Sequence, residues 1–315
     1  MVKVFVDGQE GTTGLQIVKR LSGRKDISLI SIPDDLRKDA SQRKSRISDA
    51  DIVLLCLPDE AARESVSLAE GMNVRILDAS TAHRTAEGWA YGFPELSNAH
   101  REAVEKGSRV SVPGCHASGF AALVYPLVAA GLLPPAYPIA CHSVTGYSGG
   151  GKKMIAAYEG RGRPVSYAAP RQYALSQQHK HLPEMQKVCG LAYPPVFCPI
   201  VSDFYSGMVV TVPLHLPLLQ GSPSLSQVHE VLSAHYQGQK LVKVLPLGAD
   251  QEMQGFMSAN ELSGLDTMEI LVAGNDQRAI VSSRFDNLGK GASGAAVQCL
   301  NLMLGMEETL GLSIE

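Results

Sequence analysis

The chain has 315 residues, 45% of them hydrophobic and 19% charged, with a formal net charge of −3. Such a balance describes a globular protein with room for two domains, and gives no electrostatic argument for a nucleic acid or an anionic membrane as partner. The longest apolar run, residues 120–133, is interrupted by Pro126 and Gly131, so no membrane span is expected.

A strand pattern begins at residue 2, which leaves no leader segment ahead of the fold and predicts a cytoplasmic protein. The cysteines Cys56, Cys115, Cys141, Cys189, Cys198 and Cys299 show no C-x-x-C spacing and lie mostly in apolar surroundings, as reduced thiols of a cytoplasm do.

Residues 2–7 alternate as a strand and lead into Gly8-x-x-Gly11-x-x-Gly14, after which Leu15, Val18 and Leu21 follow at helical spacing. Strand, glycine-rich turn and helix is the dinucleotide-binding arrangement: glycines allow the tight turn, and the helix N-terminus receives a pyrophosphate. Gly8, Gly11, Thr12, Thr13 and Gly14 are the candidate contacts. The spacing differs from the usual G-x-G-x-x-G, and a ligand-free packing turn is the competing interpretation.

A second strand, residues 27–32, ends without an acidic residue to hold ribose hydroxyls; Asp34 and Asp35 come only after Pro33, and Arg37 and Lys38 follow. The pattern leans toward NADP, with Ser31, Arg37 and Lys38 as 2′-phosphate candidates. Residues 51–57 form a continuous apolar run, as in a central parallel strand buried on both faces. Cys56 and Pro58, at its carboxyl end, join the candidate cofactor contacts. Residues 75–80 form the next strand and empty into Thr81-Ala82-His83-Arg84, where Arg84 could clamp a phosphate or carboxylate.

The strand at 110–112 stops at Pro113-Gly114, and a buried helix closed by Gly131 follows. Cys115 therefore sits at or near a helix N-terminus, where the dipole favours thiolate. The stretch alone leaves open an activated thiol or a small apolar core residue.

Past Gly131 the strands at 139–145, 196–203, 208–214, 241–247, 268–273 and 279–285 look antiparallel, with a helix over 225–236 among them. Gly289 to Ala296 opens an apolar helix expected to run to about residue 310 and to return to the first domain. The fold class is thus α/β: a Rossmann-type parallel sheet plus an α+β, mostly antiparallel second domain.

Gly146 to Lys153 nearly matches a nucleoside-triphosphate loop, but Lys153 stands where Ser or Thr would ligate magnesium, so that reading fails. What remains is a glycine loop near cofactor or substrate, with Lys152 as a candidate anion contact and Ser148 and Gly149 as candidate substrate contacts. His179-Lys180-His181-Leu182-Pro183-Glu184 offers two histidines and a carboxylate just before a helix, and a base beside a thiol is what cysteine catalysis needs. No third ligand completes a metal set. A thiol at a helix N-terminus, a histidine pair and a nucleotide site together suggest hydride transfer through a thioester.

At this point the chain resembles the short form of the N-acetyl-γ-glutamyl-phosphate reductases of arginine biosynthesis. The resemblance covers essentially the whole chain. It rests on the Gly8/Gly11/Gly14 turn, Asp78 to Arg84, Tyr91 to Leu96, Pro113-Gly114-Cys115, the Ser143 to Gly151 loop, His179 to Glu184, and Asp286-Asn287-Leu288-Gly289-Lys290-Gly291-Ala292.

The resemblance implies Cys115 as nucleophile, a histidine of the 179/181 pair as base (His179 the first candidate), and Glu184 as its orienting or substrate-binding partner. It also implies NADP on the N-terminal glycines, with Asn287, Lys290 and Gly291 near the nicotinamide, and an acyl phosphate and inorganic phosphate as small-molecule partners. A long second-domain sheet often packs against a symmetry mate, so a homodimer or homotetramer is expected. The domains expected are 1–114 for NADP, 115–287 for catalysis and dimerisation, and 288–315 for the returning helix. Two positions depart from the long form: His116-Ala117 replaces an aromatic residue and proline, and Lys180 replaces arginine, which removes a bidentate fork. The rivals are an aspartate-semialdehyde dehydrogenase-like enzyme and, more distantly, a redox-sensing NADP-binding protein. A Cys–His hydrolase has no use for the glycine turn.

Overall fold

The short apolar runs near the N-terminus become strands of one parallel sheet in the computed structural model, which describes residues 1–315. By contacts the chain divides into two units, residues 1–113 with 292–312, and residues 114–291 with 313–315.

In the first unit β1 (Val2–Asp7), α1 (Thr12–Leu21), β2 (Ile27–Ile30), α2 (Ala40–Asp49), β3 (Ile52–Leu55), α3 (Asp59–Leu68), β4 (Arg75–Asp78), β5 (Ala90–Tyr91), α4 (Asn98–Lys106) and β6 (Arg109–Ser111) follow in order. The six strands lie in the order β2-β1-β3-β4-β6-β5, every pairing parallel. All four residues of β3 are buried, as its continuous apolar run requires.

α2 is not anticipated by the sequence, because its buried residues are only Arg43 and Ile47 and no apolar period shows. Two other features make it. The Asp39 side chain caps the Ser41 and Gln42 N–H groups, and Arg43 reaches inward to Asp7 at 3.1 Å and Glu64 at 2.7 Å.

The second unit begins with α5 (Cys115–Ala129). Then come β7 (Ala140–Gly146), α6 (Gly151–Glu159), β8 (Arg171–Gln172), α7 (Leu182–Val188), β9 (Val196–Ser202), β10 (Met208–His215), α8 (Leu225–His235), β11 (Val242–Val244), α9 (Ala249–Glu252), β12 (Met268–Gly274) and β13 (Arg278–Phe285). Seven strands form one sheet in the order β11-β12-β13-β10-β7-β9-β8. It is mixed: β7 pairs parallel with β9 and β11 with β12, while the other pairings are antiparallel. The chain between β7 and β9 carries α6 and α7, which gives it the length to return in the same direction.

α5 is the axis of this unit. Gly119 lets it press on the sheet, since a Cβ there would lie 2.4 Å from Val210 Cγ2 and 2.8 Å from Phe285 Cε1. Pro126 sits inside the helix and has no N–H for the Ala122 carbonyl. The Tyr236 hydroxyl supplies the missing donor at 2.8 Å.

After a π-helical turn at Gly289–Ser293, α10 (Gly294–Met303) completes the first unit, its side chains joining the core cluster of Val4, Ile17, Leu54 and Leu77. The helix ends at Met303 and not near residue 310. Gly305, at φ +67°, terminates it: Gly305 N–H bonds the Leu302 carbonyl and Met306 N–H the Asn301 carbonyl, a Schellman closure. The Asn301 amide then donates to the Glu308 and Leu310 carbonyls and folds the following chain back.

Tyr236→Phe removes one hydroxyl and leaves the Ala122 carbonyl buried without its donor, so a loss of about 1–2 kcal/mol is expected in urea denaturation. Gly119→Ala forces a methyl against Val210 and should cost about 1–3 kcal/mol. Unchanged midpoints would show that α5 has slack against the sheet.

Candidate active site

The strand β6 and Pro113 deliver the chain to Gly114, the N-cap of α5, and Cys115 is the first residue of the helix. Gly114 has no side chain to cap the helix, so the first-turn N–H groups and the dipole face outward beside the half-buried thiol. Three of the other thiols are held protonated by burial. Burial, with the Asp78 and Asp7 charges, pushes Cys56 up to about 12. Burial drives Cys141 and Cys189 well above the ordinary thiol range. Helix position therefore singles out Cys115 as the thiol favoured toward thiolate.

The turn before Cys115 is tied to the histidine segment. Glu184, on the first turn of α7, accepts the Gly114 N–H at 2.8 Å and is only 1% exposed. This bond ties the turn before Cys115 to the first turn of α7. Upstream of α7 the chain takes positive φ at Ala174 and Gln177, and the Gln177 amide clips it to both the N–H and the carbonyl of Phe197. His181 N–H reaches Nδ1 of His179 at 3.2 Å. The two rings meet edge to face at 4.8 Å, and both lie against His116, at 5.6 Å for His179 and 5.5 Å for His181.

His116 was legible only as a departure from a pattern, yet it is the hub of the cluster. It is 3% exposed, with Nδ1 2.7 Å from Ser143 Oγ and Nε2 2.7 Å from the Tyr173 hydroxyl. Ser143 stands at the start of the glycine-loop motif without a role of its own in it, and Tyr173 carries no motif; for Ser143 the signal is a polar residue at a buried position of β7. On the other side Gly291 packs against Cys115, where a Cβ would come to 3.0 Å from the cysteine Cβ. Asn287 donates to Ser148 Oγ at 3.0 Å and accepts the Gly207 N–H at 2.8 Å, which links the glycine loop to the start of β10. Gly149 lies beside it, and Lys290 is buried on the π-helical turn.

In the first unit the glycine turn has the geometry a pyrophosphate cradle needs. Gly8 has φ +88° and would place a Cβ 2.5 Å from the Cys56 carbonyl oxygen, and a Cβ on Gly14 would come 2.4 Å from the Gly8 oxygen. Gly11 caps α1 without a side-chain bond, leaving the N–H groups at Thr12 and Thr13 facing outward. Ser31, Arg37 and Lys38 are exposed beyond β2, with Arg37 3.9 Å from Glu10 of the turn. Pro58 is exposed as the N-cap of α3. Arg84 is turned onto backbone, donating to the Val112 carbonyl at 2.9 Å and to that of Ala79 at 3.3 Å. Beside it Asp78 accepts from Ser80 Oγ at 2.7 Å and meets His83 Nδ1 at 2.6 Å, and His83 stacks on Trp89.

Burial, and then the neighbouring His179, hold the His116 imidazole down to about 3. An unfolded chain takes up that proton near 6.5, so the buried neutral ring contributes full stability above that pH and loses it as pH falls toward 3. Urea midpoints should decline between about pH 7 and about pH 4, and less steeply in His116→Gln. Equal slopes in the two proteins would dismiss the buried neutral ring.

Sequence and structure comparisons agree with this geometry. The semialdehyde dehydrogenase NAD binding domain matches residues 33–105, and the semialdehyde dehydrogenase dimerisation domain matches residues 115–287. The chain is 47% identical to N-acetyl-gamma-glutamyl-phosphate reductase 2 of Nostoc sp., over 98% of this chain and 99% of the relative. It is 49% identical to the N-acetyl-gamma-glutamyl-phosphate reductase of Brucella ovis, over 96% of this chain and 99% of the relative. Among solved structures, aspartate semialdehyde dehydrogenase from Francisella tularensis has a TM-score of 0.73 at 16% identity, covering 96% of this chain and 100% of that one. Aspartate semialdehyde dehydrogenase II of Vibrio cholerae, complexed with ASA, has a TM-score of 0.71 at 15% identity, covering 97% and 98%. At such identity the structures speak for the fold, and the close relatives speak for the family. With near-half identity over almost its full length, the chain belongs to the N-acetyl-γ-glutamyl-phosphate reductase family.

Proposed function

We propose that the protein reduces N-acetyl-L-glutamyl 5-phosphate to N-acetyl-L-glutamate 5-semialdehyde with NADPH, in arginine biosynthesis. One observation carries the chemistry: Cys115 opens α5, with the His179/His181 pair against the next residue and Glu184 fastened to the preceding one. In this reading the thiolate attacks the acyl carbon, the bond from that carbon to the phosphate oxygen breaks, and inorganic phosphate leaves a thioester on Cys115. NADPH, when bound, supplies the hydride that reduces the thioester carbon. The hemithioacetal then collapses to aldehyde and free thiolate.

The His181 N–H on Nδ1 of His179 favours a neutral His179 with its proton on Nε2, a donor to the leaving phosphate or the hemithioacetal oxygen. That arrangement leaves His181 to accept the thiol proton. Ser148 and Gly149 serve the substrate, and Arg84 acts through the Val112 carbonyl, holding the strand that leads to Cys115.

NADP is the nucleotide of this reading. Gly8, Gly11 and Gly14 fit a pyrophosphate, and the exposed Ser31, Arg37 and Lys38 suit a 2′-phosphate. Asn287, Lys290 and Gly291 serve the nicotinamide end. Residues 1–114 bind the nucleotide, 115–287 carry catalysis and subunit pairing, and 288–315 return to the nucleotide-binding part. A cytoplasmic setting suits six free cysteines. The chain works as a homodimer or homotetramer, for which the apolar cavity on the second sheet, lined by Pro213, Ala273, Ala279 and Ile280, offers a surface.

The test is phosphate-dependent NADP reduction by the purified protein given N-acetylglutamate semialdehyde. Turnover should require phosphate and fall by about 10³-fold or more in Cys115→Ala. Activity with aspartate semialdehyde alone would move the substrate, and NADP binding without turnover of either aldehyde would favour the redox-sensing alternative. Arg37→Ala should weaken NADP and leave NAD untouched, by about tenfold in KM. A monodisperse monomer in light scattering would rule out the assembly.

A further inference from the structure

The turn at Gly289–Ser293 is π-helical, a rare conformation that recurs at functional sites. Its wide bond is explicit: Gly291 N–H donates at 2.9 Å to the carbonyl of Asp286, five residues back. In an α-helix that N–H would reach residue 287. The extra residue widens the turn and carries the Gly291 backbone onto the side chain of Cys115. A Cβ on Gly291 would lie 3.0 Å from the Cys115 Cβ, 3.1 Å from the Asp286 carbonyl oxygen and 3.2 Å from Phe285 Cε2. Gly291 has no room for a side chain, and its bare backbone is a wall against the Cys115 Cβ.

A turn this wide needs an external hold, and Asp286 supplies it. The residue directly follows β13 and is 4% exposed. Its Oδ1 accepts the Leu288 N–H at 2.8 Å, and its Oδ2 accepts the Gly264 N–H at 2.6 Å. One carboxylate thus ties the start of the turn to the loop before β12, while the carbonyl of the same residue takes Gly291. Gly289 keeps the turn close to that loop: a Cβ there would lie 2.2 Å from the Leu265 carbonyl oxygen and 3.0 Å from Asp266 Oδ1. Burial raises the Asp286 carboxyl above its ordinary value, and the N–H groups of Gly264, Leu288 and Gly289 oppose that rise.

We propose that Asp286 is a positioning residue for Cys115: its carboxylate and carbonyl hold the π turn at the width that seats Gly291 against the Cys115 Cβ, and this wall limits the positions open to the sulfur. The proposal rests on Cys115 as nucleophile in the function argued above. A side chain with backbone packed on its Cβ keeps fewer of its staggered rotamers. A sulfur held in one of them meets the acyl carbon along one line, and a misplacement of about 1 Å can cost on the order of 100-fold in rate.

The test uses the full chain as wild type, Asp286→Ala, Asp286→Asn, Gly291→Ala and the Asp286→Ala/Gly291→Ala pair. Two readouts are taken: phosphate-dependent NADP reduction with N-acetylglutamate semialdehyde, and iodoacetamide alkylation without nucleotide, scored at each cysteine by mass spectrometry. Asp286→Ala should lower kcat on the order of 10–100-fold with little change in KM for the aldehyde. It should also alkylate Cys115 about threefold faster, because a receding wall opens the half-buried thiol. Asp286→Asn, whose amide oxygen still accepts one N–H, should fall between Asp286→Ala and wild type in both readouts. Gly291→Ala should lower kcat as well but slow alkylation by about threefold, since its methyl crowds Cys115. In the pair the released turn can withdraw with the methyl, so that slowing should largely vanish. The buried Cys141 and Cys189 should stay unmodified throughout, which separates a moved thiol from a loosened fold.

Wild-type or slower alkylation of Cys115 in Asp286→Ala would overturn the proposal. So would a pair in which the methyl slows alkylation as much as it does alone, because Asp286 would then not act through Gly291. If modification of Cys141 and Cys189 shows that Asp286→Ala does not fold, Asp286→Asn decides, and unchanged alkylation of its Cys115 is the overturning result. Should the wild type turn over neither N-acetylglutamate semialdehyde nor aspartate semialdehyde, the function itself has failed. Alkylation needs neither substrate nor nucleotide and still judges the wall.

Discussion

The bond from Gly114 N–H to the Glu184 carboxylate, 2.8 Å long and almost wholly buried, is the constraint on which the second unit's chemistry depends. It joins two segments with different tasks, the turn that presents Cys115 and the first turn of the helix following the histidines. A charged acceptor on a backbone donor is a strong hydrogen bond, roughly twice a neutral one. The carboxylate fixes the distance between the turn before Cys115 and the first turn of α7, directly after the two imidazoles. The positive φ at Ala174 and Gln177 is the strained part of the same arrangement. Such conformations persist only where surrounding bonds over-determine them. The Gln177 clip on Phe197 and the Glu184 tether supply those bonds at either end.

A thiol placed by one hydrogen bond would be poorly fixed on a mobile helix, and α5 is held at three further points. Gly119 brings it against β10 and β13, Ser283 donates to the Gly119 carbonyl at 3.1 Å, and Tyr236 occupies the carbonyl that Pro126 leaves free. Each bond answers a defect in the helix itself: a residue without a side chain, or one without an N–H. The sequence of α5, apolar on every side and interrupted by proline, is costly as an isolated helix and consistent only as a buried one.

This explains which parts were legible beforehand. β3 and the glycine turn could be read because their signals are local: a continuous apolar run, and glycines whose absent Cβ atoms are needed within a few residues. α2 could not, since its inward face is a buried arginine whose partner, Asp7, is remote in the chain. Cys115, His179, His181 and Glu184 could be found as motif residues, but the partner of Glu184 could not, because backbone N–H groups leave no mark in a sequence. The bonds that Ser143 and Tyr173 make were hidden for a related reason. Each matters through a bond to His116 across the fold, and neither residue type is unusual where it stands. The overrun of α10 past Gly305 is different, because a glycine after an apolar helix is a stop signal and its neighbours Met306 and Leu310 only made the pattern look continuous.

The first unit solves an electrostatic problem of its own. Asp7 and Asp78 end β1 and β4, and both stand level with Leu55 of the strand between them, so two carboxylates share the edge of the sheet where nucleotides bind. Left bare, they would repel a pyrophosphate. Asp7 is instead taken up by Arg43 and by Ser65 at 2.6 Å, and Asp78 by Ser80 and His83. Their charge is thereby turned into the protein, where it organises α2, α3 and the loop after β4. What the edge then presents beside the glycine turn is the uncapped start of α1, whose free N–H groups are the one strongly directional feature left for an anion to meet.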